Sequence, residues 1–349
     1  MIYYARAPVR IDFAGGWTDV ALFAQETPGY VVNACLNMYA YATAIPNDAA
    51  SPILRDADIQ PDDKHIRIYS ADFDEFVEAE DIRKLEYNGQ LDLVKAAIRR
   101  LNIDKGFYIV TRLNAPPGSG LGTSAAMGAA MIGALSRYAS VPILGYEVAE
   151  LANAIEREEL RILAGKQDHY ASAIGGINFM EFHGERVHTA QIRLDPAVQF
   201  LLEKHLVYCY TGKSRLSSDI HEKVIGGFKA KDPTTFRAIE RLKAIARECK
   251  TVLMKGALTA FGELLAENWE NQKKLHASVT NERIDALFKA AMGAGAIGGK
   301  AGGAGGGGCL VFLAAPEKEH QVKRALQDAG AVVLEANFDF HGLQVFERA

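Results

Sequence analysis

Pro116-Pro117-Gly118-Ser119-Gly120-Leu121-Gly122-Thr123-Ser124-Ala125-Ala126 follows a strand-like run, Phe107 to Leu113, and precedes an apolar helix-like run, Ala125 to Tyr138. A glycine-rich turn from strand to helix gathers backbone N–H groups at the positive end of the helix, which suits a phosphate. Thr123 and Ser124 add hydroxyls within reach of a nucleotide's Mg²⁺. The plain alternative is a surface turn whose Ser or Thr caps the helix. The loop alone does not separate the two readings; its company along the chain does.

The 349 residues suffice for one large domain or two ordinary ones. Hydrophobic residues make up 49% and charged residues 23%, the balance of a soluble globular protein. Lys plus Arg (39) nearly match Asp plus Glu (43), so the formal charge of −4 argues against a dedicated nucleic-acid binder. No basic-then-apolar leader is seen, and no apolar run is long enough to span a bilayer. Cys35, Cys209, Cys249 and Cys309 form no CxxC pair. That disfavours a zinc site or disulfide framework and makes a reducing cytoplasm the default.

Strand-like runs occupy Ile2 to Ala7, Leu36 to Ile45, Ile66 to Tyr69 and Phe107 to Leu113. Gln90 to Leu101 has helical periodicity, Tyr146 to Leu163 reads as another helix, and Ile177 to Phe182 with Val187 to Leu194 reads as a hairpin. The style changes near Asp195-Pro196. A strand (His205 to Tyr210) precedes two long helices, roughly Pro233 to Met254 and Ala257 to His276, and a shorter one near Asn281 to Met292. Then come a glycine tract, a strand (Cys309 to Ala314), a helix (Glu317 to Asp328) and two strands (Val332 to Glu335, Leu343 to Phe346). This order fits a split βαβ, ferredoxin-like module.

Gly302-Gly303-Ala304-Gly305-Gly306-Gly307-Gly308 is short and lies inside that module, so it reads as backbone that must approach something closely rather than as a linker. Gly293-Ala294-Gly295-Ala296-Ile297-Gly298 matches the dinucleotide GxGxxG pattern but follows a helix, so its context fails. Gly298-Gly299-Lys300 resembles the end of a Walker A loop, yet Ala294 replaces its first glycine and Ala301 its Ser/Thr, which disfavours a P-loop NTPase.

Three glycine-rich segments therefore stand in order: Ala7-Pro8-Val9-Arg10-Ile11-Asp12-Phe13-Ala14-Gly15-Gly16-Trp17-Thr18-Asp19, the loop at 116–126, and the tract ending at Cys309. The ordered trio resembles the three motifs of the GHMP kinases (galactokinase, homoserine kinase, mevalonate kinase, phosphomevalonate kinase), over almost the whole chain. The finer likeness is to sugar 1-kinases that act on heptose 7-phosphate and to fucokinase-like enzymes. It rests on the first segment, on Glu156-Arg157-Glu158 with Gly165-Lys166-Gln167-Asp168-His169-Tyr170, and on Tyr210-Thr211-Gly212-Lys213-Ser214-Arg215. Two departures are Thr123, where the family usually has a first serine, and Trp17, where many relatives have a smaller residue. The resemblance implies an α+β, two-domain GHMP kinase fold. Residues 1–194 would form a ribosomal-protein-S5-like, ATP-binding domain and 195–349 a ferredoxin-like domain.

By the same resemblance, Pro117, Gly118, Ser119, Gly120, Leu121, Gly122, Thr123 and Ser124 cradle ATP, while Ser124 and Glu156 ligate Mg²⁺. Ser124 has a helix cap as its plain alternative, and spacing alone does not choose among Glu156, Glu158 and Glu159. Asp168 matches the family's catalytic aspartate, which takes or orients the sugar hydroxyl's proton, and Arg10 the arginine that faces it; a loop cap and a surface salt bridge are the alternatives. Gly16, Thr18 and Asp19 are expected at the sugar and Gly305 near the substrate phosphates. Lys213 and Arg215, with Lys300, are candidates for a distal phosphate, and Lys166 is either a phosphate ligand or a solvated charge. Residues between Tyr69 and Asn88 are expected to contribute to the adenine pocket.

The implied activity is ATP-dependent phosphorylation of an anomeric hydroxyl, foremost that of D-glycero-D-manno-heptose 7-phosphate, feeding nucleotide-activated heptose and cell-surface polysaccharide synthesis. The alternatives are a 1-kinase for fucose, galactose or free heptose, and a non-catalytic sugar-binding homologue. A cytoplasmic monomer or homodimer is expected, with no nucleic-acid or membrane partner.

Overall fold

The computed structural model describes residues 1–49, 64–116, 118–162, 165–212 and 217–348. Two sheets organise them. The first has eight strands: β1 (Ile2–Ala14), β2 (Gly29–Pro46), β3 (Ile66–Ser70), β4 (Glu75–Ala79), β5 (Phe107–Leu113), β6 (Ile177–His183), β7 (Arg186–Gln191) and β12 (Gln344–Arg348). Its main path runs β12-β1-β2-β5-β3-β4, and β6 pairs with the other half of the long β2 and with β7. Only β3 and β5 run parallel. Helices α1 (Asp92–Arg100), α2 (Thr123–Tyr138), α3 (Gly145–Ala154) and α4 (Gln167–Ile174) belong to this half, with α2 and α4 packed on β1 and β2. Helix α2 is buried almost all round, as its Ala-rich, charge-poor sequence requires.

The second sheet takes β8 (Leu206–Tyr210), β9 (Ala296–Ala301), β10 (Cys309–Ala314) and β11 (Val332–Leu334) in the order β11-β8-β10-β9, all antiparallel, the ferredoxin-like arrangement. Six helices accompany it: α5 (Pro196–His205), α6 (Ser217–Lys229), α7 (Pro233–Met254), α8 (Leu258–Lys273), α9 (Glu282–Gly293) and α10 (Glu319–Asp328).

Two sequence expectations need correction. The strand before β10 is Ala296–Ala301, a stretch that carried only the failed GxGxxG and Walker A matches and no expected strand. The final strand pairs with β1, Tyr4 opposite Phe346, so the chain returns to the first sheet after leaving it near residue 195. The two halves also share a core: α7 and α8 pack on β1, and Phe13 meets Phe261 edge-on at 5.3 Å. Among the described residues no helix is long and apolar enough to cross a membrane, and the four cysteines are buried and unpaired.

Candidate active site

Alternation along β1 sets the site. Val9, Ile11 and Phe13 enter the core, so Arg10 and Asp12 point to the other face of the strand. Register shifts at Pro8/Val9 and Asp12/Ala14 re-aim this strand. Arg10 Nε donates to Asp168 Oδ1 at 2.7 Å and Nη1 donates to the Gly120 carbonyl at 2.7 Å. Burial opposes the charge on Arg10, but Asp168, Asp12 and Asp19 outweigh it and hold its pKa above the ordinary arginine value.

The loop before α2 turns through Gly118, Gly120 and Gly122, all at positive φ. A Cβ on Gly122 would stand 3.1 Å from the Asp168 carboxyl, so the loop and the aspartate touch directly. The glycine tract closes on the same loop: Cys309 N donates to the Ser119 carbonyl at 2.6 Å, and a Cβ on Gly303 would stand 3.0 Å from Gly120 O. Close backbone approach, not linkage, is the tract's role. Gly305, however, presses on Val279, whose carbonyl would lie 2.6 Å from an added Cβ.

Residue Gly122 occupies the cap position of α2 with no side-chain cap bond, so Ser124 is not the cap. Its hydroxyl donates to Glu156 Oε1 at 2.5 Å. Glu156 sits where α3 runs into a π-turn, Ile155–Glu159, a local widening common at functional sites. Of the three candidate glutamates it is the buried one; Glu158 and Glu159 pair with Arg100 on the surface. Burial disfavours its charge, but His169 and Ser124 outweigh that and hold its pKa below the usual carboxylate range. A hydroxyl beside an ionised carboxylate is the hard-oxygen donor set Mg²⁺ takes. No cluster of three His, Cys, Asp or Glu suited to a metal occurs among the described residues, so phosphates and water would complete such a site.

These groups line one cleft of about 350 Å³, with Gly16, Trp17, Asp19, Gln167 and His221 at another part of its wall. Asp19 Oδ2 accepts from Gln167 N at 3.1 Å. Burial and the charge of Asp168 push its pKa to about 6. Trp17 holds φ at +82°, its indole N–H is buried without a hydrogen-bond partner among the described residues, and its ring lies 4.7 Å from that of His221. A bulky residue in that backbone region marks strain in the cleft wall.

Several expected residues stand elsewhere. The Thr18 hydroxyl donates to the carbonyls of Gly15 and Tyr30, so it holds the turn rather than facing the cleft. Leu121 enters the core, and Ser119 is buried outside the lining. Lys300 is fully buried with Nζ 2.7 Å from Asp12 Oδ2, and that burial pushes its pKa down; it is unavailable to a distal phosphate. Lys166 is tied to the β6–β7 turn through the Gly184 and Glu185 carbonyls and the Glu185 carboxylate. No residue between Tyr69 and Asn88 lines the cleft. Pro117, Lys213 and Arg215 lie outside the described residues. Sequence reasoning gave no role to Asp12, His169 or His221. Asp12 was signalled by its two-residue spacing from Arg10, whereas His221 comes from α6 by tertiary packing alone.

Comparison with known proteins identifies the family. Family models described as GHMP kinases N terminal domain and GHMP kinases C terminal match residues 92–176 and 233–332. The chain is 31% identical to the D-glycero-alpha-D-manno-heptose 7-phosphate kinase of Campylobacter jejuni, over 97% of each chain. It superposes on a D-glycero-D-manno-heptose 1-phosphate kinase from Bacteroides thetaiotaomicron with a TM-score of 0.80 and 30% identity, covering 99% of each chain. The galactokinase of Lactococcus lactis shares the fold at a TM-score of 0.78 and 20% identity, covering 98% of this chain and 95% of its own. With a full-length relative at that identity, this chain belongs to the GHMP kinases and is an ATP-dependent sugar kinase.

Proposed function

We propose that this kinase transfers the γ-phosphoryl group of ATP to the anomeric hydroxyl of D-glycero-D-manno-heptose 7-phosphate, giving the 1,7-bisphosphate and ADP. The full-length likeness to the Campylobacter heptose 7-phosphate kinase carries the choice of sugar. The Arg10–Asp168 pair beside the glycine loop carries the chemistry.

The loop from Gly118 to Ser124 cradles the ATP phosphates with its N–H groups at the start of α2. Ser124 and Glu156 would hold Mg²⁺, which would supply charge neutralisation to the ATP phosphates. Asp19 and Gly16 hold sugar hydroxyls. The anomeric oxygen bonds to the γ-phosphorus as the bond to the ADP oxygen breaks, and the hydroxyl proton passes to Asp168. Arg10 fixes that carboxylate and offsets charge building on the transferred group. Residues 1–194 supply most of this machinery; residues 195–349 add the glycine tract and His221.

The test is an ADP-release screen over heptose 7-phosphate, free heptose, fucose and galactose, with the product identified by NMR. Fastest turnover of heptose 7-phosphate with phosphate added at the anomeric carbon is expected. Better turnover of a neutral sugar overturns the substrate, and phosphate at any other carbon overturns the anomeric assignment.

A further inference from the structure

His169 follows Asp168 on α4 and has no part in the scheme above. It is 1% exposed, and its Nε2 lies 3.1 Å from Glu156 Oε2. The other oxygen of that carboxylate takes the Ser124 hydroxyl at 2.5 Å. Glu156 is therefore gripped at both oxygens, from α2 and from α4. Asn153 Nδ2 faces the second ring nitrogen, Nδ1, at 3.5 Å.

We propose that His169 is the positioning residue for Glu156: its Nε2, 3.1 Å from Oε2, holds the carboxylate so that Oε1 meets Ser124 at the cleft wall, and thereby sets the metal affinity of the site. The proposal rests on the assignment of Mg²⁺ to Ser124 and Glu156. Its physical basis is the local backbone and the burial. Glu156 projects from a π-turn rather than from a regular helix. A buried carboxylate that loses one of its two donors is less well compensated and turns toward whatever donor remains. Holding Oε2 also keeps the Ser124 proton on Oε1, which leaves the lone pairs of that hydroxyl for a cation.

The experiment follows Mn²⁺ by electron paramagnetic resonance as it is titrated into the full chain with a non-hydrolysable ATP analogue bound. His169→Ala is expected to raise the Mn²⁺ Kd by about 10-fold or more, the scale on which groups that orient a metal ligand act. His169→Gln, whose amide N–H reaches the same side, is expected to restore most of that affinity. Analogue affinity in EDTA and the Michaelis constant for the sugar should stay at parental values in both. Glu156→Gln, run in parallel, separates the two ideas. If it loses Mn²⁺ while His169→Ala does not, the positioning role is overturned and the metal site stands. If neither loses Mn²⁺, the metal assignment fails and takes the proposal with it. Equal loss in Gln and Ala variants that both melt normally also overturns it, since the donor would then be irrelevant. Should His169→Ala fail to fold, His169→Met against His169→Gln makes the same comparison at similar volume.

Discussion

Arg10 Nη2 lies 2.6 Å from Asp168 Oδ1, although 158 residues separate the two in sequence. The same guanidinium holds the Gly120 carbonyl, so one side chain ties the aspartate to the glycine loop. Arg10 is 3% exposed, and the fixed fork of its N–H groups leaves little freedom in that geometry. An aspartate held this way needs no reorganisation when a sugar hydroxyl arrives beside it.

Asp168→Asn keeps the shape and the hydrogen bond from Arg10 but removes the proton acceptor and its charge. A fall in kcat of ~10²-fold or more is expected, the usual scale of general-base assistance, with nucleotide affinity retained. Steady-state kinetics beside nucleotide titration checks it; a variant with parental turnover removes Asp168 from the chemistry.

Asp19 has its pKa raised by burial and by Asp168 from 3.8 to about 6. The folded state therefore holds this proton more tightly than the unfolded chain. Stability falls as pH rises from about 4 to about 6, and the penalty is complete above that; it is largest near 3 kcal/mol, at about 1.4 kcal/mol per unit. Asp19→Asn, which never ionises, should melt higher than the parent at pH 7.5, and the difference should shrink toward zero at pH 4. The sugar's Michaelis constant should rise at the same time, because a charged acceptor is lost. Equal melting temperatures across that pH range would show that Asp19 titrates normally.

The loop at 116–126 was legible because its glycines, hydroxyls and flanking apolar runs are all local. The pairing of Arg10 with Asp168 was reached through resemblance, since nothing in the spacing joins residues so far apart. Strand β9 was hidden by its own composition. Gly298 and Gly299 read as the end of a Walker A-like loop, yet a Cβ on Gly298 would fall 1.9 Å from Gly262 O, so the glycines let α8 lie against the strand. Lys300 read as a free cation, and only the fold shows it buried on Asp12. The last strand has ordinary alternation, but no short-range feature says that it joins β1. Local chemistry is written locally; partners supplied by tertiary packing are not.

The glycine tract offers a comparison within one segment. Gly302 has an ordinary φ, and a Cβ there would press on Ile11 and on Gly120 O at 3.1 and 3.2 Å. Gly302→Ala should shift the phosphate loop and raise the Michaelis constant for ATP, with little change in melting. Gly305 is at φ +83° with Val279 O in the way, so Gly305→Ala should cost about 1–3 kcal/mol of stability, the range for a side chain held in a strained backbone region. Thermal melting and ATP kinetics on both variants check this. Identical behaviour of the two would show that position within the tract does not matter.

The phosphorylated end of the substrate decides the last expectation. A terminal phosphate brings close to two negative charges into the cleft. Within the described cleft lining the cationic side chain is Arg10, already committed to Asp168 and Gly120, and Lys300 is committed to Asp12. Lys213 and Arg215 remain, in the link between Gly212 and α6, the helix that carries His221 to the cleft wall. Charge-assisted hydrogen bonds from such groups are roughly twice as strong as neutral ones. Heptose 7-phosphate should therefore exceed free heptose in kcat/KM by ~10²-fold or more, about 2.7 kcal/mol of differential transition-state binding. Lys213→Ala or Arg215→Ala should shrink that ratio by harming the phosphorylated substrate while leaving free heptose nearly unchanged. Parallel kinetics on both sugars gives the ratio for each variant. A ratio unmoved by either substitution would place the phosphate contact elsewhere, and a parental ratio near one would remove the distal phosphate from recognition altogether.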